Sequence, residues 1–469
     1  MMTFKEIADA TRGVLKQGSS GSHGAAASGI SVDTRTLREG EVFFALKGPN
    51  FDGHAFISEA LGKKASGVVV EKGSKVEIPD GLSAVFVEDT LRALGDTAAS
   101  LRRRVRVPLV AVSGSTGKTT TKEMAAAILA RSRPVLKTEG NRNNLVGLPL
   151  TLSGINSSHR AAVVELGISG PGEMKRLVEI SDPDVALITN IGRSHMEGHG
   201  DIEGVAGAKR ELFDCSRPEC FKVVNLDDEL VVRSAEEHSA GVITFGFNKE
   251  ADVRVEDFRA GDNLSGSTAR FFVRGEPVDI RLRVPGVFNM ANAAAAVAAL
   301  LPLDVYLDDI YEGLYGFTGV SGRLEIVRSG ALTILDDTYN ANPESVSAAL
   351  GALKGAAGRR VAVLGEMHEL GECAEGAHRE TGRLAAEAGI DMIVAVGRWS
   401  SVVVDGALDA GFRARLAYGF DDWKSALKAL KGDLLKAGDV LLVKGSRAAG
   451  LEEVVRGLSD RDNFKEACC

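Results

Sequence analysis

The sequence has few prolines and no long run of apolar residues. Only 12 of its 469 residues are proline, against 54 glycines, and the glycines follow no three-residue period, which excludes a collagen-like chain. No run of about 18 apolar residues occurs, so we expect no transmembrane helix. The segment 1–10 contains lysine, glutamate and aspartate and lacks a hydrophobic core, which predicts no signal peptide.

The sequence also lacks an excess of positive charge and a CxxC cysteine pair. The chain has 56 Lys and Arg against 64 Asp and Glu, a net charge of −8. This acidic surplus argues against binding to bulk nucleic acid, which needs a basic surface. The five cysteines form no CxxC pair, and Cys468 and Cys469 are the last two residues. We therefore expect a reduced, cytoplasmic protein without structural disulfides or a zinc site.

The hydrophobic pattern predicts an α/β protein of about three domains. At ~150 residues per domain, 469 residues correspond to about three units. Short apolar segments, such as 108–113, 161–165 and 185–189, alternate with helical patterns, as in a parallel sheet that is buried on both faces. Strand-like alternation over 253–284 predicts a small antiparallel insertion. After about residue 319 the α/β alternation resumes and predicts a second, Rossmann-like sheet.

A glycine-rich loop with a lysine follows the first strand of the central block and precedes a helical pattern. Backbone N–H groups in such a loop, together with the helix dipole, bind phosphate. Lys118 would contact the β- and γ-phosphates, and the Thr119 hydroxyl would bind Mg²⁺. The full phosphate-loop pattern has a glycine where this chain has Val112. The nucleotide-binding residues predicted here are Gly114, Ser115, Thr116, Gly117, Lys118, Thr119 and Thr120.

Further polar residues follow the neighbouring strands. Glu165 ends an apolar strand, which places its carboxylate beside the phosphate loop as a candidate Mg²⁺ ligand. His195 follows the next strand and is a candidate metal ligand, although with His199 it does not form the H-E-x-x-H order of a zinc site. Lys209 lies in a helical pattern, where the residues alone predict an ordinary exposed lysine.

Together these segments resemble the Mur ligase family, ATP-dependent enzymes that form amide bonds in peptidoglycan precursor synthesis. The resemblance extends over nearly the whole chain. The motifs N-x-N-N-x-x-G-x-P at 141–149 and Y-N-A-N-P at 339–343 are typical of the branch that adds D-alanyl-D-alanine to UDP-N-acetylmuramoyl-tripeptide. The sequence lacks the D-N-P-R tetrapeptide of the branch that adds the third amino acid. Further matches are 31–35, 48–54, 289–292, 322–325, 364–371 and 444–447.

The resemblance implies three domains, with a central P-loop parallel-sheet domain and a C-terminal Rossmann-like domain. Residues 1–88 would bind the UDP moiety of the substrate. Residues 89–318 would bind ATP and catalyse the reaction, and residues 319–469 would bind the incoming amine. The expected reaction passes through an acyl phosphate and releases ADP and phosphate. The enzyme would act as a cytoplasmic monomer.

The resemblance also assigns roles to individual residues. Lys118, Glu165, His195 and Lys209 would be catalytic. Thr119, Glu165, His195 and Lys209 would hold Mg²⁺, at two sites, with Lys209 carbamylated by CO₂. The residues implied at ATP are Asn292 and Arg323 for adenine, and Asp337 and Tyr339 for the ribose side. The residues implied at the UDP-linked substrate are Ser31, Arg35, Asn143, Asn144 and Asn340.

Three alternatives stay open on the sequence alone. The nearest is a sister ligase, either another Mur enzyme or a folylpolyglutamate synthetase that shares the short phosphate loop, although the first block argues against the folate enzyme. A P-loop ATPase acting as a switch would hydrolyse ATP without an amine. A catalytically inactive homologue is disfavoured because the predicted catalytic residues are all present. Either meso-diaminopimelate or lysine fits as the third residue of the acceptor peptide.

Overall fold

Each of the three large sheets is built from its own segment of the chain. The computed structural model describes residues 2–18, 26–194, 196–238 and 241–459. The sheets have five, nine and six strands and lie within 14–87, 109–282 and 325–444. Three residues singled out above, His195, Cys468 and Cys469, lie outside the described residues. Within the described ranges, no helix has the length and apolar character needed to cross a bilayer.

The first sheet is parallel except at one edge. Its segment contains β1 (Met2–Thr3), α1 (Phe4–Thr11), β2 (Val14–Lys16), β3 (Ala26–Ala27), β4 (Ile30–Ser31), β5 (Val42–Phe44), α2 (Ile57–Gly62), β6 (Gly67–Glu71) and β7 (Ser83–Val87). The strand order is β2–β7–β6–β5–β4, and only β2 is antiparallel to its neighbour. Strands β1 and β3 form a separate antiparallel pair. Strand β4 is only two residues long, because the chain turns after Ser31.

The second sheet begins after helix α3 (Thr90–Arg104) and places the phosphate loop near its centre. Its strands are β8 (Leu109–Ser113), β9 (Val135–Lys137), β10 (Ala161–Glu165), β11 (Val185–Ile188), β12 (Phe221–Asn225), β13 (Val242–Gly246), β14 (Val253–Ala260), β15 (Ser267–Val273) and β16 (Glu276–Leu282). The order is β16–β15–β14–β13–β12–β11–β8–β10–β9. Strand β8 is fully buried between β11 and β10, as its apolar sequence predicts.

Helices cover both faces of this sheet. They are α4 (Lys118–Leu129), α5 (Gly147–Ser153), α6 (Glu173–Ser181), α7 (Met196–His199), α8 (Ile202–Asp214), α9 (Glu229–Ala235), α10 (Val287–Leu300) and α11 (Leu307–Gly316). Helix α10 is buried along nearly its whole length, and its alanines allow close packing against α4 and the sheet. The predicted antiparallel stretch is observed as β14, β15 and β16, and it extends this sheet because β14 pairs in parallel with β13.

The third sheet contains β17 (Glu325–Ser329), β18 (Leu332–Asp337), β19 (Arg360–Leu364), β20 (Met392–Val396), β21 (Ala417–Phe420) and β22 (Val440–Lys444). Its order is β17–β18–β22–β19–β20–β21, with only β17 antiparallel, so the predicted Rossmann-like pattern is observed. The α-helices of this segment are α12 (Pro343–Lys354), α13 (Ala374–Glu387), α14 (Ser400–Asp409), α15 (Trp423–Ala429) and α16 (Glu452–Ser459). Strands β18 and β22 end side by side, which brings their last residues together.

Candidate functional site

A cavity of about 810 Å³ lies between the second and third sheets. It is lined from one side by the loops after β8, β10 and β11, and from the other by the ends of β18 and β22. Ligands of open α/β sheets bind at such carboxyl ends of strands. The predicted site residues that line the cavity are Gly114, Ser115, Thr116, Gly117, Lys118, Thr120, Asn143, Asn144, Glu165, Lys209, Asn292, Arg323, Asp337, Tyr339 and Asn340.

The phosphate loop needs glycine at two positions for steric reasons. Gly114 and Gly117 have φ angles of 140° and 79°. A Cβ atom at Gly114 would lie 2.0 Å from Thr189 Oγ1, and one at Gly117 would lie 2.3 Å from Asn292 Oδ1. Helix α4 begins at Lys118, directly after the loop. The loop is therefore packed closely against its neighbours, with the positive end of the helix dipole at the cavity.

The side chains of Ser115 and Thr116 stabilise the loop itself. Ser115 Oγ donates to Gly192 O at 2.9 Å and accepts from Gly192 N at 2.8 Å. The backbone N–H of Thr116 donates to Asn190 Oδ1 at 2.9 Å. These contacts attach the phosphate loop to the segment that follows β11. Both residues were predicted to bind the nucleotide, and the structure shows that their polar groups already contact this segment.

Two lysines on this side of the cavity share one acceptor. Lys118 Nζ donates to Gly114 O at 2.7 Å, and Lys209 Nζ donates to the same oxygen at 3.2 Å. Lys209 is 2% exposed, so the expectation of an ordinary exposed helix lysine was wrong. Burial, reinforced by the charge of Lys118, lowers the pKa of Lys209 well below its usual value. Burial also lowers the pKa of Lys118, with Glu165 opposing this effect.

Glu165 connects the phosphate loop with the asparagine-rich segment at 141–149. Its Oε2 accepts from Thr119 Oγ1 at 2.7 Å, and its Oε1 accepts from Asn143 Nδ2 at 2.9 Å. Its backbone N–H donates to Thr138 Oγ1 at 3.0 Å, which fixes the end of β10. Thr119 thus lies below the cavity surface and beside the carboxylate.

Glu165 and Thr119 provide oxygen donors of the kind that Mg²⁺ prefers. The described residues contain no group of three or more His, Cys, Asp and Glu side chains that could hold a metal by themselves. This fits Mg²⁺, which is commonly bound by one or two protein oxygens together with water and substrate phosphates. His195, the other predicted ligand, lies outside the described residues.

The wall formed by the third sheet carries a stacked pair and an ion pair. The Arg323 guanidinium lies 4.1 Å from the centre of the Tyr339 ring. Asp337 Oδ2 accepts from Lys444 Nζ at 2.6 Å, and Lys444 also donates to the carbonyl of Asn340 at 3.0 Å. Sequence reasoning gave Lys444 no role. The available signal was a lysine at the end of an otherwise apolar strand.

Other polar residues of the cavity were also missed. Asn289 Oδ1 accepts from Asn292 Nδ2 at 3.3 Å, and Asn292 Oδ1 accepts from Thr121 Oγ1 at 3.4 Å, so α10 and α4 hold the Asn292 amide between them. The unassigned polar residues that line the cavity include Asn141, Asn225, Asn289, Asn342, Ser345, His368, Glu369, Ser446 and Arg447.

Ser31 and Arg35 lie elsewhere, at the end of β4 in the first sheet. Ser31 is buried and donates from Oγ to the carbonyl of Asp33 at 3.0 Å. Arg35 is exposed and pairs with the Asp33 carboxylate at 2.7 Å. Neither residue lines the cavity. Their contact with a UDP-linked substrate stays a prediction.

Comparison with known proteins identifies the family of this chain. Family models described as Mur ligase family, catalytic domain, Mur ligase middle domain, and Mur ligase, glutamate ligase domain match residues 26–108, 112–300 and 322–447. A curated relative from Escherichia coli is 36% identical and one from Bacillus subtilis 34% identical, each over 92% of this chain and 93% of the relative. The chain belongs to the Mur ligase family. Mur ligases are ATP-dependent enzymes that form amide bonds, and this chain is one of them.

Both Mur ligase relatives are named UDP-N-acetylmuramoyl-tripeptide–D-alanyl-D-alanine ligase. Among solved structures, MurF from Acinetobacter baumannii has a TM-score of 0.89 at 32% identity, covering 98% of this chain and 99% of that one. MurF from Thermotoga maritima in complex with ADP has a TM-score of 0.82 at 29% identity, covering 92% and 97%. These likenesses confirm the predicted α/β class and three-domain architecture. A folylpolyglutamate synthase from Mycobacterium tuberculosis, at 18% identity, shares the fold alone.

Proposed function

We propose that this Mur ligase joins D-alanyl-D-alanine to UDP-N-acetylmuramoyl-tripeptide in peptidoglycan precursor synthesis. The observation that carries this proposal is the hydrogen bond from Asn143 to Glu165. It places the asparagine motif typical of this branch against the carboxylate beside the phosphate loop. Relatives named for this activity match 92% of the chain, which also supports the proposal.

The chemistry of amide formation explains the need for ATP. A free carboxylate does not react with an amine, since its leaving group would be oxide. Transfer of the γ-phosphoryl group to the tripeptide carboxylate releases ADP and leaves an acyl phosphate. The amine then attacks the acyl carbon, the C–O bond to phosphate breaks, and the amine loses a proton. Lys118 would neutralise charge on the migrating phosphoryl group.

Mg²⁺ would be held by Glu165 and Thr119 together with ATP, and when bound it would neutralise phosphate charge. His195 is a further proposed ligand. Asn143 keeps the Glu165 carboxylate oriented through its 2.9 Å hydrogen bond. The segment after β11 keeps the phosphate loop in place through Ser115. In this assignment these residues position ATP, and the partly enclosed cavity between the two sheets would limit the access of water to the reactive acyl phosphate.

Lys209 is proposed to be carbamylated by CO₂ and to help hold a second Mg²⁺. The ammonium group would first lose a proton, and the neutral amine nitrogen would then bond to the carbon of CO₂ and lose a second proton, which converts a cation into a carbamate anion. Its burial and lowered pKa favour the neutral amine that this reaction needs. We expect Lys209→Ala to lower turnover and a short-chain carboxylic acid to restore part of it.

Lys222 provides the matched control for this test, since it is also a buried lysine in the same unit, 3% exposed, and does not line the cavity. Carboxylic acid should not increase the activity of Lys222→Ala. Full activity of Lys209→Ala, or no rescue, would contradict the carbamate.

The three sheets are proposed to divide the substrates among them. Residues 1–88 would hold the UDP moiety, 89–318 ATP and 319–469 the dipeptide. Asn292 and Arg323 are proposed for adenine, Asp337 and Tyr339 for the ribose side, and Ser31, Arg35, Asn143, Asn144 and Asn340 for the UDP-linked substrate. The enzyme is proposed to act as a monomer in the cytoplasm, without nucleic acid.

A phosphate-release assay tests the proposed function. ATP and UDP-N-acetylmuramoyl-tripeptide, with meso-diaminopimelate or lysine as third residue, are supplied with D-alanyl-D-alanine, single amino acids or glutamate. We expect release only with D-alanyl-D-alanine and the preferred acceptor. Activity with a single amino acid alone would contradict the branch assignment. Release without any amine would indicate a switch ATPase.

A further inference from the structure

The proposed dipeptide substrate has a negative end that the reaction leaves unchanged. Its amino group must lose a proton and approach the acyl phosphate, whereas its carboxylate keeps its charge throughout. An anion held in a partly enclosed cavity needs a cation beside it, because burial of an unpaired charge is costly. The inference below rests on the proposed function and concerns which cation this is.

The cations on the wall of the second sheet are poorly suited to this carboxylate. Lys118 and Lys209 both donate to Gly114 O, within the phosphate loop. Lys118 therefore lies where the phosphates of ATP bind. Lys209 is only 2% exposed, and its amine already donates to the Gly114 carbonyl.

Three charged or ionisable side chains on the opposite wall already have close partners. The Arg323 guanidinium stacks on the Tyr339 ring at 4.1 Å. Lys444 has a 1% exposed side chain and pairs with Asp337 at 2.6 Å. The imidazole Nε2 of His368 lies 3.4 Å from a carboxylate oxygen of Glu366.

Arg447 differs from these groups in both exposure and pairing. It lines the cavity three residues after the end of β22, and its side chain is 69% exposed. It forms an ion pair with Glu452, whose Oε1 lies 3.6 Å from the Arg447 Nε, too far for a hydrogen bond. The planar guanidinium can bind a carboxylate through two parallel hydrogen bonds. Arg447 therefore keeps its donors available at the cavity.

We propose that the Arg447 guanidinium binds the carboxylate of the incoming D-alanyl-D-alanine and selects amines that carry one. The site lies on the third sheet, opposite the phosphate loop. A dipeptide held by its carboxylate at Arg447 can direct its amino group towards the acyl phosphate. The residue is a specificity determinant for the amine and takes no part in phosphoryl transfer.

Steady-state kinetics with two amines test this role. A hydrogen bond to a charged group is worth several kcal/mol at most, so we expect Arg447→Ala to raise the KM for D-alanyl-D-alanine by about tenfold or more. The KM values for ATP and the UDP-linked substrate should change little. D-alanyl-D-alaninamide, which lacks the negative charge, should be used equally poorly by the wild type and by Arg447→Ala. Arg447→Lys should give an intermediate KM for the acid.

Arg456→Ala is the matched control. Arg456 is also 69% exposed and pairs with a neighbouring glutamate, Glu453, but it lies outside the cavity. It should leave all three KM values unchanged.

Two results would overturn the inference. One is an unchanged KM for D-alanyl-D-alanine in Arg447→Ala, and the other is a rise in the KM for ATP instead, which would place Arg447 at the phosphates. Wild-type turnover with D-alanyl-D-alanine tests the proposed function separately. An active wild type with an indifferent Arg447→Ala would therefore refute the role of Arg447 alone.

Discussion

Two lysines on opposite walls of the cavity are equally buried but differently compensated. Lys209 and Lys444 are each 2% exposed. Lys444 lies 2.6 Å from the Asp337 carboxylate, whereas Lys209 hydrogen-bonds a carbonyl and experiences the positive charge of Lys118. Burial alone therefore does not determine the role of a lysine. A paired lysine is a fixed cation, and one without a carboxylate partner tends towards the neutral, nucleophilic amine.

Removal of Lys118 should have the largest effect of all, a loss of activity. Lys118→Ala deletes the cation expected at the migrating phosphoryl group and also one cause of the lowered pKa of Lys209. We expect phosphate release to fall by about 10²-fold or more. The exposed Lys137, which pairs with Glu123 at 2.5 Å, offers a control, since Lys137→Ala should retain wild-type activity. Near-normal turnover of Lys118→Ala would show that Lys118 is not a catalytic residue.

Breaking the ion pair between Lys444 and Asp337 should have the next largest effect, a loss of stability. Lys444→Met leaves the Asp337 carboxylate, whose side chain is 15% exposed, without its cation. We expect the free energy of unfolding to fall by about 3 kcal/mol, measured by urea denaturation. The double variant Lys444→Met/Asp337→Leu should recover most of the loss, because it removes both charges. Equal destabilisation of the two variants would mean that the loss comes from packing around Lys444 and not from an unpaired carboxylate.

The lowered pKa of Lys209 should make the free energy of unfolding depend on pH. The unfolded chain holds its Lys209 proton up to the ordinary pKa, whereas the folded chain loses it at the lowered pKa. Between these values the unfolded state binds more protons, so the wild type should gain stability relative to Lys209→Met as pH rises, by up to about 1.4 kcal/mol per pH unit. Urea denaturation from about pH 7 to about pH 9 in CO₂-depleted buffer measures this difference. Parallel pH profiles would argue against the lowered pKa.

Local sequence carried enough information to predict the strands and the phosphate loop. Buried parallel strands are short continuous apolar runs, and β8, β10 and β22 are all of this kind. Gly114 and Gly117 marked positions where the backbone must adopt a positive φ. Because the carboxyl ends of parallel strands meet at one edge of the sheet, the sequence also predicted that Glu165 lies beside this loop, where it contacts Thr119.

The properties of the two lysines depend on contacts between segments distant in sequence. Lys209 reads as an ordinary helix lysine, and its burial arises only when α8 packs beside the phosphate loop, far away in the chain. The partner of Lys444 is 107 residues away. Local periodicity reports which face of an element is apolar, but not which distant charge will meet it.

The smallest effect is expected for an ion pair that joins the two walls and is partly exposed. Arg193 Nε lies 3.0 Å from Glu344 Oε1, with side chains 48% and 37% exposed. Arg193 follows Gly192, which anchors Ser115, and Glu344 lies in α12 of the third unit. Because water screens both groups, we expect Arg193→Ala to cost only about 0.5 kcal/mol of unfolding free energy, and less in high salt. Urea denaturation at two salt concentrations measures this. A loss as large as that of Lys444→Met would mean that contact between the walls, more than burial, determines the strength of these pairs.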